Sequence, residues 1–172
     1  MSIDEIKINK AKKGNEKAFQ ELIQNEKNKL FRMAYLYVKN ESDALDIVQD
    51  TIYKAFISIK QLKEPQYFST WISRILVNTT LDFIKKNNRL IPFSDVEVFG
   101  DNQSLRIEEK LDLVEAIGRL EVHYKTVIIL RYYKDLSIKQ IAEILNCPEG
   151  TVKTRLHRAI NQLKSDLKEE CI

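Results

Sequence analysis

A chain of 172 residues is long enough for one domain, or for two small ones that each bury a workable core. Only 4 Gly and 3 Pro punctuate it, and Leu, Ile and Phe recur at three-and-four spacing, which excludes a β-rich or loop-rich architecture and predicts an almost wholly helical protein. The 28 basic and 25 acidic residues leave a net charge of +3, so a globally basic surface is excluded and any affinity for nucleic acid has to come from local patches.

The apolar periodicity predicts a short helix from Ile3 to about Lys13, broken at Gly14, and a longer one from Glu16 to about Val38. Lys39, Asn40 and Glu41 form a turn, after which Ser42 is placed to cap a third helix running to about Ile59. On that helix Leu45, Val48, Ile52, Ala55, Phe56 and Ile59 make one apolar stripe, while Asp43, Asp46, Gln49, Asp50 and Tyr53 gather on an adjoining polar face. Carboxylates on one face suit a divalent cation, a basic protein partner or plain solvation. With no histidine and no phosphate-binding loop nearby a metal is disfavoured, and from this helix alone solvation and docking stay open.

The stretch Lys63, Glu64, Pro65 ends this region, because proline biases its predecessor away from helix. A fourth helix is predicted from about Phe68 to Lys86. Tyr67, Phe68 and Trp71 cluster at its start, and Arg74, Asn78 and Lys85 line one side further along. Aromatic rings beside a cationic and amide face suit the unstacked bases of single-stranded DNA, since rings stack on bases while the polar groups meet edges and phosphates. Against that, Trp71, Ile72, Ile75 and Phe83 are also core candidates.

Between Asn87 and about Leu105 the periodicity disappears. Pro92, Gly100, Asn102 and Ser104, with the acidic Asp95, Glu97 and Asp101, make this a linker. Helices over Arg106 to Leu120 and Tyr124 to about Tyr133 follow, with His123 at a helix start assigned to structure rather than to function. The architecture is therefore all-α: two small helical domains, 1–88 and 106–172, joined by a flexible linker at 89–105.

The stretch Ser137 to Leu163 carries the clearest chemistry. Leu136, Ile138, Ile141, Ala142 and Leu145 recur at helical spacing behind a capping Ser137, and the pattern breaks at Asn146, Cys147 and Pro148. Asn146 tolerates the left-handed conformation that ends a helix, and Pro148 suits the first turn of the next. Val152, Leu156, Ala159 and Leu163 then fall on one stripe, leaving Thr151, Thr154, Arg158 and Asn161 opposite and Lys153, Arg155 and His157 flanking. Two short amphipathic helices around a tight break, with a basic outward face, describe a helix-turn-helix whose second helix offers hydroxyls and amides to base edges and cations to phosphates.

Cys147 and Cys171 belong to no C-x-x-C pair, so both are read as free thiols of a reducing compartment, and no metal or other cofactor is expected. The stretch from Met1 to Phe19 lacks the apolar core of a signal peptide, and the longest aliphatic run, Val127 to Leu130, is far too short to span a bilayer; a soluble, cytoplasmic protein is predicted. Nothing supplies a nucleophile with a positioned base, a glycine-rich phosphate loop or a metal cluster, so the chain is not read as an enzyme.

DALDIVQDT (Asp43 to Thr51), FSTWISRILVNTTLDFI (Phe68 to Ile84) and RLEVHYKTVIILRYYKDLSIKQIAEILNCPEGTVKTRLHRAINQL (Arg119 to Leu163) together resemble the extracytoplasmic-function sigma factors, the small members of the bacterial sigma-70 family. The similarity covers nearly the whole chain in the family's order, and the segment from Asp43 to Ile72 looks especially like the sigma-V-type subgroup. Asn146 stands where the family frequently has glycine. The resemblance implies a promoter-specificity subunit, responsive to stress, that carries core RNA polymerase to particular promoters. It implies that Asp43, Asp46, Gln49 and Asp50 dock on the clamp coiled coil of the β′ subunit. Lys63, Gln66, Tyr67, Phe68, Trp71, Arg74, Asn78 and Lys85 would hold the minus-ten element. Thr151, Lys153, Thr154, Arg155, His157 and Arg158 would read the minus-35 element, on a domain that also holds the β flap. The linker would thread toward the polymerase cleft, and an anti-sigma factor, often membrane-anchored in this family, would hold the protein inactive. The residues alone leave a second reading open, an autonomous two-domain helix-turn-helix regulator that binds duplex DNA tightly without polymerase.

Overall fold

A computed structural model describes residues 3–87 and 107–169 of the chain. Among these residues there are eight α-helices and no strand, and the chain divides into two compact units, Met1–Leu90 and Ile91–Ile172. The expected linker at 89–105, with Asp95, Glu97 and Asp101, lies outside the described residues, as does Cys171.

The first unit holds α1 (Ile3–Lys12), α2 (Glu16–Val38), α3 (Glu41–Ser58), two single 3₁₀ turns (Ile59–Gln61 and Pro65–Tyr67) and α4 (Phe68–Asn87). Helix α2 packs on α1, α3 and α4, and α3 packs on α4. Leu30, Met33 and Tyr37 of α2, Ile47 and Val48 of α3, and Ile72, Leu76 and Val77 of α4 form the dry centre. Gly14 takes φ +92° between α1 and α2, a conformation a side chain rarely adopts, and the Asn15 side chain then caps α2 by accepting from the Ala18 N–H at 2.9 Å. Thr51, Ser73, Thr79 and Thr80 are buried here, yet Thr51, Ser73 and Thr80 each donate to the carbonyl four residues earlier and the Thr79 hydroxyl accepts from the Lys54 ammonium, so none of them is left unsatisfied.

Two sequence expectations for α3 are corrected. The cap is Asn40, not Ser42: Lys39 absorbs a left-handed turn (φ 51°), Asn40 is extended, and its side chain accepts from the Asp43 N–H at 2.9 Å. Ser42 is thereby inside the first turn. The buried face is also rotated from the expected stripe. Ala44, Ile47, Val48, Thr51 and Ala55 face the core, whereas Leu45 and Phe56 are exposed and Ile52 is half-buried.

The second unit holds α5 (Ile107–Arg119), α6 (Val122–Ile128), which continues into a π-turn (Ile129–Tyr133), α7 (Ile138–Leu145) and α8 (Glu149–Glu169). Helix α8 packs against α5, α6 and α7. Helix α6 starts two residues before the expected Tyr124, and it does not stay α-helical to Tyr133. The Lys134 N–H reaches back five residues to the Ile129 carbonyl, and the Arg131 guanidinium closes the end by donating to the Leu136 carbonyl at 2.9 Å. Ile129, Leu130, Ile141, Val152 and Ala159 are the centre of this core. Lys125 is the one buried ammonium among the described residues, and burial pushes it down from 10.5 to about 8.

Candidate nucleic-acid and protein interfaces

The helix-turn-helix is built as its residues dictate. The Ser137 hydroxyl accepts from the Gln140 N–H while the Gln140 side chain accepts from the Ser137 N–H, a reciprocal capping box that fixes where α7 begins. Asn146 ends α7 in the left-handed region (φ 49°, ψ 49°), and the next amide, Cys147 N–H, donates back to the Ala142 carbonyl. Pro148 stands one residue ahead of α8 rather than inside its first turn, and its carbonyl accepts from the Thr151 and Val152 amides. Its lack of an N–H is harmless there for the same reason it would be one residue later.

Val152, Leu156, Ala159 and Leu163 are all buried, so the rest of α8 is committed by geometry. Thr154, Arg158 and Asn161 are exposed opposite the core, with exposed Lys153 and His157 on one flank and half-buried Thr151 and Arg155 on the other. On the Arg155 flank, His123 and Tyr124 of α6 approach α8. Together with Gly150, Thr151, Thr154, Arg155 and Arg158 they line an open polar groove of about 460 Å³. Sequence reasoning assigned no role to His123 and Tyr124 here, because nothing local in the sequence announces a neighbour on a later helix.

In the first unit, α4 divides cleanly. Ile72, Ser73, Leu76, Val77 and Thr80 are buried, and at 100° per residue Trp71, Arg74, Asn78 and Lys85 fall within about 60° of one another on the opposite side. Arg74, Asn78 and Lys85 are exposed, Trp71 is half-buried, and Asp82 is the acidic residue on the same side. Lys63, Gln66 and Tyr67 project from the turn that leads into the helix and are exposed. Phe68 departs from the expected set. It is 6% exposed, with its ring centroid 6.0 Å from that of Trp71, so it supports the indole from behind and offers no face to a base.

On α3, Asp46, Gln49, Asp50 and Tyr53 point away from the core, and Asp43 is half-buried at the edge. Asp50 is held by Lys54 at 2.9 Å, and Lys54 also donates to Thr79 of α4. Beside the carboxylates and the expected Tyr53 lies what the sequence reading missed: Leu45, Phe56 and Ile57 are exposed too, Tyr53 and Ile57 by more than 60%. Phe19, Gln20, Gln49, Ile52, Tyr53 and Phe56 line an apolar groove of about 480 Å³ between α2 and α3. Large apolar side chains left in water next to charges mark a protein-binding surface. Among the described residues no cluster of His, Cys, Asp and Glu is arranged to hold a metal ion, and no helix is long and apolar enough to cross a membrane.

These two units correspond to known modules. The sigma-70 region 2 family model matches residues 22–90, and the sigma-70 region 4 model matches residues 110–163. The RNA polymerase sigma factor SigV of Bacillus subtilis (strain 168) is 39% identical over 150 residues, spanning 86% of this chain and 90% of that protein. The ECF RNA polymerase sigma factor SigW of the same organism is 32% identical over 180 residues, spanning 95% and 96%. The chain belongs to the extracytoplasmic-function sigma factors of the sigma-70 family. Among solved structures, CnrH in complex with the cytosolic domain of CnrY shares the fold with a TM-score of 0.73 at 25% identity, over 98% of this chain and 99% of CnrH. As a sigma factor the protein directs core RNA polymerase to particular promoters for transcription initiation. Region 2 is thus the unit with the α3 and α4 faces, and region 4 the unit with the helix-turn-helix.

Proposed function

We propose that the sigma factor divides its work among the three faces described above and itself catalyses no reaction. The carboxylates of α3, Asp46 and Asp50 foremost, with the exposed Tyr53, Phe56 and Leu45 beside them, dock on the β′ clamp coiled coil. The turn bearing Lys63, Gln66 and Tyr67 and the α4 face of Trp71, Arg74, Asn78 and Lys85 hold the unpaired non-template strand of the minus-ten element. The outer face of α8 reads the minus-35 element through Thr151, Lys153, Thr154, Arg155, His157 and Arg158, and region 4 also meets the β flap.

The observation that carries this reading is α4. Its aromatic and cationic groups lie diametrically opposite a fully buried face, so no fold constraint explains a tryptophan held there over a phenylalanine prop. A flipped base costs a few kcal/mol of unstacking, and a chain with a net charge of +3 supplies little non-specific attraction, so a second contact, held in register by polymerase, makes up the difference. Residues 1–88 and 106–172 are the two working domains, and 89–105 the connection that threads toward the polymerase cleft.

The protein acts in the cytoplasm, in response to stress, and is restrained by an anti-sigma factor. CnrH is in complex with a cytosolic domain, that of CnrY, and a partner of the same kind, with its remainder in the membrane, suits this chain. A reconstituted transcription assay tests the division of labour. Arg74→Ala and Asn78→Ala are expected to reduce permanganate-reactive open complex while leaving core polymerase pull-down intact, and equal loss of both would refute the assignment. Tight binding of the free chain to a palindromic duplex, with no co-purifying polymerase, would favour the autonomous regulator instead.

A further inference from the structure

The groove between α6 and α8 is unlike the rest of the region 4 surface. Its lining brings two guanidiniums, Arg155 and Arg158, to the same opening as the Thr151 and Thr154 hydroxyls, the His123 imidazole and the Tyr124 phenol. Neither arginine is engaged by a carboxylate among the described residues. The acidic residue beside His123, Glu121, is already engaged, its Oε2 lying 3.2 Å from the imidazole Nε2. The two rings of His123 and Tyr124 stack at an angle, their centroids 4.2 Å apart, which fixes both as one wall of the groove. Helix α8 forms the other wall. Lys153 and His157, on its far flank, face no such wall.

We propose that this groove seats a phosphate of the promoter's sugar–phosphate backbone, and that His123 and Tyr124 of α6 are part of the DNA interface. The inference rests on the minus-35 reading of α8. Thr154 and Arg158 belong both to the groove and to the outer face of α8, so a backbone bordering the base pairs they meet runs over the groove opening. Planar guanidiniums with the Thr151 and Tyr124 hydroxyls on one open pocket suit a tetrahedral anion with several acceptor oxygens, the Thr154 hydroxyl being spent on the Gly150 carbonyl at 2.9 Å. An acidic peptide presents a planar, two-oxygen group and offers no continuity with the base-reading face. The phosphate seat at Arg155, His123 and Tyr124 thus anchors the helix in register and carries no sequence information itself, which is left to Thr154 and Arg158 and to Lys153 and His157 on the open flank.

The test uses holoenzyme, reconstituted from the full chain and core polymerase, on a promoter fragment selected with the wild-type holoenzyme from a randomised duplex pool. Arg155→Gln is expected to weaken binding roughly ten-fold for every sequence in the pool alike and to lower the salt slope of log K by about one. Tyr124→Phe removes only the hydroxyl; it is expected to cost about three-fold with the salt slope unchanged. Single methylphosphonate substitutions along the minus-35 backbone should reveal one phosphate whose neutralisation costs the wild type about as much as Arg155→Gln does and adds nothing further in that variant. Circular dichroism guards against misfolding, and the isosteric Tyr124→Phe keeps the packing. Binding by both variants equal to wild type, a change in sequence preference, or additive losses at every phosphate would overturn the proposal. Failure of the wild-type holoenzyme to select any promoter would overturn the minus-35 reading itself, and this proposal with it.

Discussion

Lys12→Met isolates a tie between the N-terminal helix and the turn that leads into the proposed minus-ten face. The Lys12 ammonium donates to the Leu62 carbonyl at 2.6 Å, spanning 50 positions of sequence, and Leu62 opens the segment that presents Lys63, Gln66 and Tyr67. The turn Pro65–Tyr67 packs on α1 as well. Methionine keeps the aliphatic stem and deletes the donor. A hydrogen bond from a charged group is worth about 1.5–3 kcal/mol; this one is only part-buried, so water recovers a share, and about 1–2 kcal/mol is expected. That raises the population of a loosened turn roughly 5- to 30-fold. Hydrogen–deuterium exchange reads it directly at the Leu62 and Tyr67 amides, which donate to the Ile59 and Glu64 carbonyls in the closed turn. Their exchange should accelerate by that factor while amides in the centres of α2 and α3 hold, and open-complex formation should fall without loss of duplex binding at the minus-35 element. Unchanged exchange at these two amides would refute the tie. Uniform acceleration throughout region 2 would show that Lys12 serves global stability and not the turn.

Three further outcomes follow from the geometry. Lys125 titrates near 8 when folded against 10.5 ordinarily, so between these values the unfolded chain holds more protons and region 4 should gain stability as pH rises from 8 to 10.5, by roughly 3 kcal/mol in all. Lys125→Met should stabilise region 4 at pH 7 and flatten that rise in urea titrations; a flat wild-type profile would contradict the burial argument. Asn146→Gly should leave thermal stability unchanged or higher, whereas Asn146→Val should cost about 1–2 kcal/mol or more, because φ 49° suits glycine and penalises a β-branched side chain. Tyr53→Ala, on a side chain 63% exposed, should change stability by less than about 0.5 kcal/mol yet cut affinity for core polymerase at least ten-fold in a competition assay.

The second helix of the helix-turn-helix was fully legible from Val152, Leu156, Ala159 and Leu163, because a stripe of four well-spaced apolar residues on an otherwise polar helix fixes its own phase. The Ser137 cap and the left-handed Asn146 were legible for a similar reason: each requires a residue type that few alternatives supply. On α3 the same reasoning picked the wrong phase. Large Leu45, Ile52 and Phe56 outweigh small Ala44 and Thr51 on any hydrophobicity scale, yet small residues are what a close helix crossing needs. Large residues displaced to the surface are what the proposed docking on polymerase requires, so the misreading and the proposed function share one cause. Asn40 was mistaken for part of a turn because a cap is defined by its backbone, and only the left-handed Lys39 shows where the chain leaves the preceding helix. The groove beside Arg155 was out of reach altogether, since it depends on α6 and α8 lying side by side, with no local pattern in either to announce it.

The π-turn at Ile129–Tyr133 gives the chain between Tyr124 and Ser137 a tolerance in length that regular helix lacks. Its five-residue reach accommodates one more residue than an α-helical path over the same rise. Deleting one residue there would let the backbone relax into ordinary helix while the turns on either side keep their phase, so Tyr124 would stay beside Arg155. A deletion in the regular part of α6 would instead turn everything ahead of it by about 100°. Substitution within the segment is cheap where side chains meet solvent, as at Tyr132. Loss of its one extra residue is cheap in register as well, and descendants of this chain should vary here both in the letters of the segment and, by one, in their number.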